Sequence, residues 1–154
     1  MTIASDRIVY LSDLDPVEVE QSSQFAAPRP WQRDLSVAGN ILQLKFATSG
    51  KTVSFAKGLG AKPYSSLIFE NNNNFDHFRA IAGIDLETAG RGDCEMIVRG
   101  DGIQLWAKRI RGSDDPESIV VDISGMKKIA LIVLPGESFD LGDHADWADA
   151  RFTK

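Results

Sequence analysis

Apolar and polar residues alternate along most of this chain with a period of two. Leu42, Leu44 and Phe46 share one parity, with Gln43 and Lys45 between them. That is the pattern of a strand with one face on a core and the other in water. Phe78, Ala80, Ala82 and Ile84 repeat it, as do Cys94, Met96 and Val98, and then Ile119, Val121 and Ile123. Residues 8–11, 53–56 and 66–69 are shorter candidates. Residues 129–134 are apolar throughout, which predicts a central strand buried on both faces. In the last run, Ala148, Ala150 and Phe152 are expected on one side and Trp147, Asp149 and Arg151 on the other.

Turn chemistry separates these runs. Asp101-Gly102 lies between two alternating segments, and a tight hairpin needs the positive φ that these residues tolerate. Asn71, Asn72, Asn73 and Asn74 form a polar loop. Pro28 and Pro30 predict a loop carrying Trp31, and residues 17–21 read as one helical turn. No window of about 12 residues has helical periodicity. About ten short strands between turns predict an all-β sandwich or jelly roll. The first and last strands are natural neighbours in such a fold, which brings both chain ends together.

At 154 residues the chain fits one domain, 1–154, and reads as a module excised from a larger protein. The net charge of −5 argues against nucleic acid as a partner, because basic residues are scattered apart from Lys108, Arg109 and Arg111. No apolar run reaches the roughly 18 residues needed for membrane insertion. Residues 1–7 carry no apolar signal core. The lone Cys94 excludes an intrachain disulfide and reads as a buried, inert thiol.

No catalytic constellation stands out. Gly58-Leu59-Gly60 is too short for a dinucleotide fingerprint, and neither His77 nor His144 sits in a nucleophile motif. The segment holding Asp140, Asp143, His144, Asp146 and Asp149 has the density of a divalent-metal site but not the spacing of a known loop. A glycan-cleaving reading would use Asp143 and Asp146 as a carboxyl pair. Sugar sites combine an aromatic platform with carboxylates, amides and cations. Trp147, between Asp146 and Asp149, has that mixture around it; Trp106 reads as structural.

Several stretches point further when taken in order. They are Tyr10-Leu11-Ser12-Asp13-Leu14, Trp31-Gln32-Arg33-Asp34, Ala38-Gly39-Asn40, Lys57-Gly58-Leu59-Gly60, Phe78-Arg79-Ala80, Gly83-Ile84-Asp85, Gly100-Asp101-Gly102 and the closing run from His144 to Arg151. From about Val9 to Phe152 the chain resembles the NPCBM domain family, related to family 51 carbohydrate-binding modules. The resemblance implies a galactose-binding-domain-like jelly roll and a noncatalytic glycan-binding role, with galactose-containing glycans as ligands. It also implies linked catalytic or other domains and an extracellular or periplasmic setting. The sugar-facing residues it implies are Trp31, Lys62, Asp85, Asp146 and Trp147. A structural calcium would be held by Asp149, with Asp34 and Asn40 from the early loop. Where the family reads Gly-Leu-Gly-Val-His-Ala, this chain has Gly58, Leu59, Gly60, Ala61, Lys62 and Pro63, so Lys62 replaces a histidine. That departure points to an acidic ligand, or to a protein-interaction sandwich that has lost sugar binding.

Overall fold

Alternating strands bury their apolar parity by pairing two sheets face to face. The computed structural model describes residues 7–22, 30–72, 74–136 and 142–154. One sheet has the order β11-β8-β13-β6-β3: β11 is Glu117–Asp122, β8 His77–Ile84, β13 Ala145–Thr153, β6 Gly58–Ala61 and β3 Gln32–Arg33. The strand β1, Ile8–Tyr10, also joins this sheet by pairing with β13, with Ile8 opposite Thr153. The other sheet runs β10-β9-β12-β7-β2, with β10 Ile103–Arg111, β9 Asp93–Gly100, β12 Lys128–Pro135, β7 Ser65–Glu70 and β2 Glu18–Gln21. A separate hairpin joins β4, Leu42–Phe46, to β5, Lys51–Phe55.

The core lies between the two sheets. Phe78, Ala80 and Ile119 from one sheet meet Leu67, Phe69, Met96, Val98, Ile129 and Leu131 from the other. Cys94 is buried among them, as expected. β12 is the middle strand of its sheet, which explains its apolar residues on both faces. The Asp101-Gly102 turn has φ of 48° and 83°, the positive pair a tight hairpin requires.

Three expectations fail for physical reasons. Residues 18–21 form an edge strand rather than a helical turn, because β7 supplies hydrogen-bond partners that local propensity does not foresee. Leu42 and Leu44 are buried, but in a small second cluster with Phe55 and Ala148 on the outer face of the β13 sheet. The parity of β13 changes partway: its pairing with β8 shifts register between Ala148 and Arg151, where Asp149 takes φ 53°. Such a bulge inserts a residue and turns the later side chains to the opposite face. Trp147, Ala150 and Phe152 therefore face the core, while Ala148 faces the hairpin.

Glycines let the hairpin and its preceding loop descend onto that outer face. A Cβ on Gly60 would lie 2.5 Å from the Leu35 carbonyl oxygen. One on Gly83 would meet Leu44 Cδ2 at 3.0 Å.

Candidate functional site

Three strands of one sheet end together. Ala61 of β6, Ala145 of β13 and Ile84 of β8 are the last paired row. The next positions are Lys62, His144 and Asp85, and the Asp85 N–H donates to the His144 carbonyl at 2.7 Å. Adjacent strands lie about 4.8 Å apart, so these residues share one rim. Over the rim lies the turn Leu86–Thr88, a short 3-10 helix. Asp85 caps it by accepting from the Glu87 N–H at 2.9 Å, and its second oxygen accepts from Gln43 N–H at 3.2 Å.

Capping aims Glu87 at the early loop and at His144. Glu87 Oε1 accepts from Ser36 Oγ at 2.6 Å and from Asn40 Nδ2 at 2.8 Å. Its Oε2 lies 2.6 Å from His144 Nδ1. Burial works to raise the Glu87 carboxyl, but hydrogen bonds from Ser36, Asn40 and His144 outweigh it and hold the group below its ordinary value. An ionised carboxylate accepts only, so Nδ1 carries the proton shared with Glu87. Lys62, half-buried on the next strand, has no ion pair among the described residues. Behind the turn, a cleft of about 440 Å³ opens between Lys45, Leu86, Ala89 and Ser113, with Asp85 in its wall.

The expected sugar-facing residues do not all reach this rim. Trp147 is 0% exposed, with its ring edge-on to Phe78 and Trp106 in the core. A ring without an open face cannot stack on a sugar. The reading of Trp106 as structural fits the same contacts. Trp31 is half-buried against the core, and the Arg33 guanidinium lies 4.7 Å from its ring centroid. Asp85 and Asp146 are 2% and 0% exposed, so neither stands open at the rim. Lys62 alone of the five stands at the rim without a described partner. Glu87 and His144 were absent from the expected set. The signal that could have found them was the run Asp85-Leu86-Glu87, a cap residue ending a strand and followed by an acid.

Two of the three expected calcium ligands, Asp34 and Asn40, have their side chains engaged elsewhere. Asp34 accepts from Lys57 Nζ at 3.0 Å and from Gly58 N–H at 3.1 Å. Burial works to raise the Asp34 carboxyl, but hydrogen bonds from Ser12, Lys57 and Gly58 prevail and hold it below its ordinary value. The positive charge beside Asp34 is thus an ammonium group, which also bonds Asp13 at 2.8 Å. Asn40 is committed to Glu87, and the Asp149 N–H donates to the Lys57 carbonyl at 2.9 Å. Among the described residues, no group of three or more His, Cys, Asp or Glu is placed to hold a metal. The residues present fit a lysine-centred clasp better than a calcium site. Asp140 lies outside the described residues.

Comparison with known proteins agrees with this architecture. A family model described as the NPCBM/NEW2 domain matches residues 7–153. A solved structure of the second CBM51 module of Clostridium perfringens ZmpB, in complex with GlcNAc, is 29% identical with a TM-score of 0.88. It covers 97% of this chain and 32% of that one. The CBM51 module of a C. perfringens GH95 protein, solved with methyl-galactose, is 26% identical with a TM-score of 0.86 and covers 96% of this chain and 100% of that one. A Renibacterium salmoninarum protein named "Putative endo-alpha-N-acetylgalactosaminidase" is 31% identical over 101 residues. The match takes in 65% of this chain but only 7% of that relative's length.

Proposed function

The chain belongs to the NPCBM/NEW2 family and is a carbohydrate-binding module, and we propose that it recognises galactose-containing glycans without cleaving them. The observation that carries this reading is the rim itself. His144, oriented by Glu87, offers a nitrogen to a sugar hydroxyl, and Lys62 offers a cation on the neighbouring strand. The adjacent cleft has room for a further sugar unit. The methyl-galactose complex of the GH95 module supports the galactose reading, and the GlcNAc complex of the ZmpB module supports glycan binding in general.

Cleavage would need two carboxyl groups that reach the substrate. Asp143 and Asp146 are both 0% exposed, and Asp143 accepts from the Asp93 N–H at 2.6 Å. Neither is available to a glycosidic bond. A protein-docking sandwich would instead expose a flat apolar patch. Among the described residues the exposed apolar side chains are mostly spread over separate elements, with Ile8 on β1, Ile103 on β10 and Val120 on β11, and only Val17 and Val19 at β2 sharing one. Linkage to a catalytic domain in a larger exported protein completes the proposal, since the related C. perfringens module is solved beside an M60 catalytic domain.

Titration calorimetry with methyl-galactoside tests the reading. Shallow single sites bind in roughly the micromolar to millimolar range. Loss of one hydrogen bond should cost His144→Ala about tenfold in affinity. Equal heats from the variant and the parent would remove His144 from the site.

A further inference from the structure

Asp146 has no role in the rim chemistry described above, yet its burial is complete. On the strands beside it the paired residues are Gly60 and Gly83. Missing side chains on both sides allow the backbone of residues 35–37 and the Leu44 side chain to close over this stretch of the sheet. The result is a carboxyl group that is 0% exposed and whose two oxygens meet no hydrogen-bond donor among the described residues. Among the described residues the charged groups facing it are Asp85, within hydrogen-bonding reach, and Glu87, both acidic. No lysine or arginine among the described residues bonds to it. Lys62 lies beyond the end of β6, and the described bond of His144 is to Glu87.

Two adjacent carboxylates sealed from water without a cation are strongly unfavourable. One proton removes the conflict. Asp85 already accepts one N–H on each oxygen and has lone pairs left for an O–H. We propose that Asp146 carries a proton at neutral pH and donates it to Asp85, so that one buried O–H···O bond positions Glu87 and His144 for ligand. The positioning half rests on the sugar-binding reading; the proton itself does not. Asp85 is the junction: it holds Gln43 of β4, caps the 86–88 turn and so aims Glu87. Burial first, and then Asp85 and Glu87, push the Asp146 carboxyl well above its ordinary range, in keeping with the geometry. Losing the proton would set Asp146 against both acids and loosen the turn.

Infrared spectroscopy of the chain at neutral pH should show the carbonyl stretch of a protonated carboxylic acid, absent in Asp146→Asn. As pH rises above neutral the parent should lose melting temperature, while the variant stays flat. Asparagine keeps the shape and donates N–H to Asp85 without titrating. Asp146→Ser is a second non-titrating donor should the first variant fold poorly. Over the same range the parent should lose about fivefold in methyl-galactoside affinity, and the variants should not. Absence of the acid band, or a band that persists in both variants, overturns the proton. A band that behaves as expected, with identical pH profiles of affinity in parent and variants, overturns the positioning role. If no form binds the galactoside at any pH, the sugar reading has failed, and the band and melting profile still decide the proton.

Discussion

Glu87 and Asp146 lie in the same polar cluster and respond to pH in opposite directions. The Glu87 carboxyl is held below its ordinary 4.5, so it stabilises the fold above that value and the contribution is lost as pH falls through its folded value. Asp146 is raised above 3.8, so its native form binds the extra proton and stability declines as pH rises through the window above 3.8. Glu87→Gln should therefore flatten the acid limb of a melting-temperature profile without changing the alkaline limb. An unchanged acid limb would mean that Glu87 is not held low. Lys62 makes a different claim. With the Lys62 ammonium at the rim, a carboxylated or sulfated galactoside should bind more tightly than its neutral parent, by about tenfold at low salt. Lys62→Gln should erase that preference, as competition titrations at two salt concentrations would show. At this scale the sequence was a partial guide. Lys62 was legible because it broke a motif. Trp147 was misread because neighbouring aspartates suggested a wet site, and because the parity set by Ala150 and Phe152 does not carry back across the bulge at Asp149.

Strands were the most legible elements, because half-buried strands write their two faces directly into the sequence. Thus β8 and β9 lie where Phe78 to Ile84 and Cys94 to Val98 alternate. Alternation does not say which surface the apolar parity covers. Leu42 and Leu44 look like inner-face residues, and they pack instead on the outside of the β13 sheet. The only mark of that second layer is glycine on the sheet beneath it. Gly60→Ala should accordingly be costly, since its Cβ would press on the backbone of Leu35, Ser36 and Val37 at 2.5–2.7 Å. Overpacking of this kind costs about 1–3 kcal/mol. For a chain of this size that is a fall of roughly 2–12 °C in melting temperature. Affinity should fall with it, because the displaced loop carries Ser36 and Asn40. A fully stable variant would show that the loop can lift without penalty.

Across the whole molecule, sheet order and the rim emerge only when strands far apart in sequence are aligned. Periodicity has no access to that alignment; Lys62, Asp85 and His144 meet because β6, β8 and β13 share one register. The clasp around Lys57 is equally long-range, joining Asp13 and Asp34 to the start of β6. Because an ammonium group fills this place, melting temperature should be the same with added calcium and with a chelator. A drop on chelation would show that a metal holds the fold at another set of ligands.

The pairing of Ile8 with Thr153 has a mechanical consequence. β13 runs from the rim at Ala145 to Thr153, eight steps of about 3.3 Å, or roughly 26 Å. Any polypeptide attached before Ile8 or after Thr153 therefore leaves from the pole opposite the rim, through two anchor points side by side. The domain behaves as a hand on a short wrist: it can be spliced into a loop of a host, or hung from either side, and its grip still faces outward.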